Sequence, residues 1–388
     1  MIFLYKILKK GEVALKKIFC LGILFVFFVA LSVPVFGQDS VTIGANLEMT
    51  GGVAAYGQME NEGVELIREL IGTEVLGKKV EYVVVDNKSD KVEAANAAMR
   101  LIDKEGVIAI IGSATSGNML AAGPICEEKK VPQISATATN PLVTQEKKYS
   151  FRATFIDSFQ AVAAAQFAYE DLQGKTVAIL SDIAQDYCVA LGNFFKDAYE
   201  KKGGKVLIVQ NCKTGDQDFS AQLTTIMNIN PDVLYLPNYY TEIALICRQA
   251  RDLGYEGKIL GGDGSDAPEL IAIGGDAVEG FYFTAHGDTQ KALTEIGQKY
   301  FDAYRKKFNK EPGVFGALAA DAYLIIMDSI KRANSFEPEK IAAAMEETKD
   351  LEVTTGIVTI ENGDALKPVV VKQVEGGQVK LLGTVAVK

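Results

Sequence analysis

The chain has 388 residues, 48% of them hydrophobic, with one histidine, no tryptophan and a formal net charge of −10. Length and composition indicate a globular protein of about two domains. The single histidine excludes most metal centres and any Ser–His or Cys–His pair not built on His286, and the acidity argues against nucleic acid or an anionic membrane surface as partner.

The first 37 residues differ from the rest. Lys6, Lys9, Lys10, Lys16 and Lys17 precede an apolar run from Ile18 to Val33, and "VPVFGQ" follows with small residues at Val35 and Gly37. A basic region, an apolar core and a small-residue end describe a secretory signal cleaved near Gly37–Gln38. The apolar run is slightly short for a membrane anchor. Cys20 sits at the start of that run, the wrong order for a lipid-attachment site. Five lysines and one glutamate leave with the signal, a net +4, so the mature chain carries −14. Four cysteines remain, Cys126, Cys188, Cys212 and Cys247, with no CxxC pair. Export permits disulfides. Three pairings, or four reduced core thiols, are all compatible with the spacing.

Val41–Leu47 opens with β-branched residues and reads as a strand. Val64, Ile67 and Ile71 recur at helical spacing and predict a helix over Tyr56–Ile71. Lys79–Asp86 is a strand, and Asp90 is the N-cap of a helix running to Asp103. Strands at Val107–Gly112 and Val131–Ser135 flank a helix over Asn118–Lys129. The pattern restarts after an extended stretch at Tyr149–Phe155. Helices over Gln160–Leu172, Tyr187–Lys201, Phe219–Met227 and Thr241–Leu253 alternate with strands at Thr176–Ser181, Lys205–Gln210, Asp232–Pro237 and Lys258–Gly262. Gly280–His286 is extended. Helices over Lys291–Phe308, Phe315–Arg332 and Pro338–Glu347 follow, and strands over Val353–Ile360 and Lys367–Val374 end the chain. This alternation predicts an α/β protein of two units, each a parallel sheet flanked by helices.

Ligands of open parallel sheets bind beyond the carboxyl ends of the strands. Here those ends carry Glu48–Gly52, Ser113–Gly117, Ser135–Asn140, Ser181–Tyr187, Pro237–Tyr240 and Gly261–Asp266. They are rich in Ser, Thr, Tyr and Gly and poor in cations, and two such units face to face would form a cleft.

Six ordered stretches then carry a family resemblance: "LEMTGGVAAYGQMENEGVELI", "IIGSATSGNMLAA", "VPQISATATNPLVT", "FRATFIDSFQA", "DVLYLPNYYTEIALICRQARDLG" and "LGGDGSDAPELIAIGGDAVEGFYFT". Over most of the mature chain the sequence resembles the type I periplasmic solute-binding proteins of ABC importers, in the Leu/Ile/Val-binding group. The resemblance implies two Rossmann-like lobes joined by a three-crossing hinge. Lobe 1 would span 41–156 and 287–359, and lobe 2 would span 157–284 and 366–388. It implies an exported, monomeric, non-enzymatic binding protein with no cofactor, no metal and no nucleic-acid partner. Such a protein holds an amino acid between its lobes and delivers it to a membrane permease. A small amide, urea or an aromatic carboxylate as ligand, or a ligand-sensing receptor module, are the alternatives. An exported hydrolase has little support, since no GxSxG is present and His286 falls at an expected crossing.

The resemblance also assigns site residues. Ser116 matches the position that holds a ligand α-carboxylate. It opens a predicted helix, whose first N–H groups bind anions without a Lys or Arg. Thr139 matches a hydroxyl that contacts the α-ammonium, and Thr137 a position that contributes backbone. Asp263 matches an acid that pairs with the ammonium, and it lies among Gly261, Gly262 and Gly264, which permit close approach. "GDGSDA" also fits a G-x-G-x-x-A dinucleotide pattern, but an Asp there would point its charge at a pyrophosphate. Tyr56, Tyr187 and Tyr239 match aromatic positions around the ligand, and Cys188 replaces the usual glycine after Tyr187.

Overall fold

The computed structural model describes residues 40–385 together with Ile2. The expected signal over 1–37, Ile2 apart, lies outside the described residues. The first sheet begins with β1 (Ser40–Leu47), whose last five residues are buried. α1 (Ala54–Ile71) follows and turns Tyr56, Met59, Glu60, Gly63, Val64 and Ile67 inward at helical spacing. After the short β2 (Glu74–Val75) comes β3 (Lys78–Asp86). α2 (Lys91–Asp103) is capped as expected by Asp90, whose carboxylate accepts the N–H groups of Val92 (2.8 Å) and Glu93 (3.0 Å). β4 (Ala109–Ile111), α3 (Ser116–Lys129), β5 (Gln133–Ser135) and β6 (Ser150–Arg152) complete this part. The sheet order is β2-β3-β1-β4-β5-β6, parallel except for the edge strand β2.

The second sheet is fed by α4 (Asp157–Gln166), β7 (Thr176–Asp182), α5 (Asp186–Lys201), β8 (Lys205–Cys212), α6 (Ser220–Ile229), β9 (Val233–Leu236), α7 (Tyr240–Asp252), β10 (Lys258–Gly261), α8 (Pro268–Gly274) and β11 (Tyr282–Ala285). Three helices then return to the first sheet: α9 (Glu295–Phe308), α10 (Val314–Ala333) and α11 (Pro338–Glu346). α10 is buried along most of its length and packs on α1. The contact is so close that a Cβ on Gly63 would lie 1.9 Å from the Gly316 carbonyl oxygen. Two small hairpins follow, β12 (Leu351–Val353) with β13 (Gly356–Val358) and β14 (Ile360–Glu361) with β15 (Asp364–Ala365). β16 (Val370–Glu375) and β17 (Gln378–Thr384) end the described chain as antiparallel strands on the second sheet, whose order is β17-β16-β11-β10-β9-β7-β8. The chain thus passes between the two sheets three times.

Several local expectations need correction. Val353–Ile360 is not one strand but a hairpin and the start of the next. Asp321 on α10 accepts the Thr354 N–H (2.7 Å) and hydroxyl (2.6 Å) and bends the chain there. α9 starts at Glu295, four residues after Lys291, because the Thr294 hydroxyl caps it by accepting the Gly297 N–H at 3.1 Å. α4 starts earlier, at Asp157, and its end widens into i→i+5 bonding over Phe167–Asp171. The reading missed β17, which a Gly376–Gly377 turn with φ of 62° and 69° folds back onto β16. Cys126, Cys188, Cys212 and Cys247 are free and buried, which settles them as reduced core residues. Burial pushes the thiols of Cys126, Cys212 and Cys247 up to about 12.

Candidate functional site

In each sheet the strand order reverses once among the parallel strands. From β1 the chain adds β3 on one side and then β4 on the other; from β7 it adds β8 and then β9. Loops that diverge at such a point leave a crevice. The loops after β4, β5, β7, β9 and β10 meet there around a small cavity. It is lined by Tyr56, Ala114, Thr115, Ser116, Thr137, Ala138, Thr139, Tyr187, Tyr239, Asp263, Gly264 and Phe315. All seven residues singled out from the sequence are among them. No Lys or Arg is.

Ser116 is the first residue of α3, and its Oγ accepts the Asn140 N–H at 3.2 Å. The same helix end already holds one carboxylate. Glu48, at the end of β1 and fully buried, accepts the N–H groups of Ala114 (3.0 Å) and Thr115 (3.1 Å), the Thr115 hydroxyl (2.9 Å) and the Asn118 amide (2.8 Å). Burial raises its pKa above the ordinary value against the opposition of those bonds. The Thr137 hydroxyl lies 2.9 Å from both Glu60 Oε1 and the Ala114 carbonyl. Burial and the neighbouring Glu48 push Glu60 well above the usual carboxylate range, and the Thr137 hydroxyl opposes that rise by donating to it.

Arg152, at the end of β6, fixes the loop that carries Thr139. It donates to the carbonyls on either side, Ala138 at 2.8 Å and Asn140 at 2.9 Å, and to the Thr144 hydroxyl at 2.8 Å. Its Nε meets Asp364 at 2.6 Å. The Thr139 carbonyl accepts the Asp157 N–H at 2.8 Å, which ties this loop to α4.

The facing side is built by the second sheet. The Tyr187 and Tyr239 rings stack at 5.3 Å and 7°. Tyr56 meets Tyr239 edge-on at 5.8 Å and lies 4.7 Å from Phe315. The Tyr56 hydroxyl donates to the Gly264 carbonyl, and the Tyr187 hydroxyl accepts the Gly264 N–H at 3.1 Å. Gly264 is obligatory, because a Cβ there would lie 2.7 Å from the Asn238 carbonyl oxygen. Asp263 accepts from Gln160 Nε2 and the Tyr187 hydroxyl, both at 2.8 Å, and faces His286 Nε2 at 3.0 Å. Asp157 lies nearby, fully buried. Its pKa is pushed well up by burial and then by the Asp263 charge, and its Oδ2 has no hydrogen-bond partner. Among the described residues the Tyr239 hydroxyl is likewise unpartnered, while the Thr139 hydroxyl faces the Asp157 carboxyl and opposes the rise of its pKa. Burial raises the Tyr56, Tyr187 and Tyr239 phenols well above their ordinary value, so they are neutral donors.

A family model for periplasmic binding proteins matches residues 40–378. The chain belongs to that family. Leucine-binding protein LivK of Thermotoga maritima is 49% identical, with a TM-score of 0.87, over 89% of this chain and 98% of that one. The branched-chain amino acid transporter substrate-binding protein LivJ of Streptococcus pneumoniae, solved with isoleucine, is 31% identical with a TM-score of 0.83, over 89% of this chain and 99% of its own. Leu/Ile/Val-binding protein BraC3 of Rhizobium johnstonii is 32% identical, over 84% of this chain and 88% of its own. The fold is the type I periplasmic binding protein fold, and the relatives are binding proteins rather than enzymes. No helix among the described residues is long and apolar enough to cross a membrane.

Sequence reasoning passed over Phe315 on the cavity wall and the buried polar residues packed behind it. Glu48 appeared only as a strand end, His286 only as a crossing, Phe315 only as a helix start, and Asp157 only as the first residue of the second lobe. Glu60 and Gln160 sit inside helices, where a polar residue gives no local sign of burial. His286 forms a row, with Thr154 Oγ1 2.6 Å from Nδ1 and Asp263 beyond Nε2. This resembles a nucleophile–base–acid row, but Thr154 is fully buried and is not among the residues that line the cavity.

Proposed function

We propose that the protein is the exported substrate-binding component of an ABC importer and that it binds a branched-chain amino acid as the zwitterion in this cavity. The observation that carries the reading is the cavity wall itself. One side offers a helix N-terminus with Ser116, the other a buried Asp263, and the rest is tyrosine, threonine and Phe315 without a cation. A zwitterion needs donors for its carboxylate and an acid for its ammonium, since neither charge can be buried alone. The Ser116 hydroxyl and the N–H groups of the first turn of α3 receive the carboxylate. Asp263 and the Thr139 hydroxyl receive the ammonium, with backbone from the Thr137 loop. Tyr56, Tyr187 and Tyr239 pack the apolar side chain. An aromatic carboxylate or a neutral amide would leave Asp263 and Asp157 without a cation.

In this reading lobe 1 comprises 41–156 and 287–359, and lobe 2 comprises 157–284 and 366–388. Lobe 1 receives the ligand, and hinge motion at the three crossings brings Tyr187, Tyr239 and Asp263 onto it. The permease reads the closed shape. The mature protein starts near Gln38, acts as a monomer outside the cytoplasm and performs no catalysis. Calorimetry with a panel of amino acids, amides and benzoate tests the ligand class. Asp263→Asn should weaken leucine binding by about 2–5 kcal/mol, or roughly thirtyfold or more. Ser116→Ala should cost about 1–3 kcal/mol. Wild-type affinity in Asp263→Asn, or tighter binding of benzoate than of leucine, refutes the reading.

A further inference from the structure

The only histidine of the chain stands directly behind the acid of the site. His286 is 3% exposed, and its ring stacks on Phe155 at 4.4 Å and packs against Phe315 at 5.8 Å. Asp263 Oδ1 is saturated by Gln160 and Tyr187, whereas Oδ2 faces His286 Nε2 at 3.0 Å. Among the described residues no Lys or Arg pairs with Asp263. The titratable groups around it are His286, Asp157 from α4, and the phenols of Tyr56, Tyr187, Tyr235 and Tyr239. The phenols are neutral, and Asp157, whose own pKa burial pushes well up, supplies no positive charge. A buried carboxylate without a cation needs a hydrogen-bond donor at each oxygen. His286 is the donor available to Oδ2.

We infer that His286 is a positioning residue that donates from Nε2–H to Asp263 Oδ2 and so holds this carboxylate aimed at the ligand ammonium. Thr154 selects the tautomer. Its hydroxyl meets His286 Nδ1 at 2.6 Å, and by donating to it leaves the ring proton on Nε2. Thr154 follows β6 at the first passage between the sheets and His286 follows β11 at the second, so this pair of bonds joins two passages to the acid. The inference rests on the reading that Asp263 meets an ammonium, and the experiment separates the two.

Nitrogen NMR of protein labelled at histidine observes a single ring, so no assignment is needed. The expected spectrum at neutral pH has a protonated Nε2 and a bare Nδ1. His286→Phe keeps the stacking and removes the donor. Leucine affinity should fall roughly tenfold at pH 7, the loss of one hydrogen bond to a charged group. His286→Gln places an amide donor where Nε2 was and should bind nearly as wild type. A ring protonated on Nδ1, a His286→Phe protein with wild-type affinity, or a His286→Gln protein that binds as weakly as His286→Phe overturns the inference. Asp263→Asn with unchanged leucine affinity instead overturns the ammonium reading, and the ring tautomer still reports on the His286–Asp263 bond.

Discussion

Replacing Arg152 with methionine keeps most of the aliphatic stem and deletes the guanidinium. Arg152 is fully buried and makes four contacts between 2.6 and 2.9 Å, to Asp364, the Ala138 and Asn140 carbonyls and the Thr144 hydroxyl. Removing one partner of a buried ion pair costs about 3–5 kcal/mol. Asp364 is a quarter exposed, so water recovers part of that. The two carbonyls are not so placed: Ala138 is 2% exposed and Asn140 4%, and each buried acceptor left unpaired costs about 1–3 kcal/mol. The net expectation is a loss of about 4 kcal/mol, a large share of the 5–15 kcal/mol that a folded domain typically has. Arg152→Lys keeps the charge but not the fork that reaches both carbonyls, and should lose about half as much. Urea denaturation followed by circular dichroism reads the stability. A leucine titration of the folded variant reads the loop, and affinity should fall more than tenfold, because Thr139 sits between the two released carbonyls. An Arg152→Met protein within about 1 kcal/mol of wild type, or one that binds leucine unchanged, refutes the reasoning.

Glu60→Gln should stabilise the protein at neutral pH and do so least in acid. The folded-state pKa of Glu60 lies well above its ordinary value of 4.5, so the native acid contributes full stability below pH 4.5 and loses it as the pH rises towards the folded value. Each unit is worth about 1.4 kcal/mol, and thermal melts across pH check the sign; a stabilisation greatest near pH 4 contradicts it. Gly63→Ala should force α1 and α10 apart, since its Cβ would meet the Gly316 carbonyl oxygen at 1.9 Å. A loss of about 1–3 kcal/mol or more is expected, and an unchanged melting temperature contradicts the contact.

The regular alternation of strands and helices was legible because each element writes its own period. Asp90 shows its cap in the residues that follow it. Ser116, Thr137, Thr139, Tyr187, Tyr239 and Asp263 stand at strand ends or just beyond, where ligands of parallel sheets gather, and the ordered motifs single them out with Tyr56. The hairpin at 351–358 was hidden because its cause is Asp321, on a helix that precedes it by about thirty residues. Glu60, Asp157 and Gln160 were hidden for a related reason. A polar residue in a helix looks solvated until the opposite wall is in place, and that wall comes from other parts of the chain. His286 was the converse case: a residue conspicuous by its rarity, whose partners Thr154 and Asp263 no spacing could reveal.

The cation-free wall has a kinetic corollary. A zwitterion has no net charge, and under the proposed reading it meets a carboxylate, hydroxyls and peptide dipoles only at short range. The formal net charge of −10 would therefore neither draw such a ligand in nor repel it. Capture should be governed by collision and shape, so its rate should stay level as salt shortens the screening distance from about 30 Å at 0.01 M to about 3 Å at 1 M. A scavenger built this way performs alike in dilute and in briny surroundings, with its acidity left free to keep crowded copies apart.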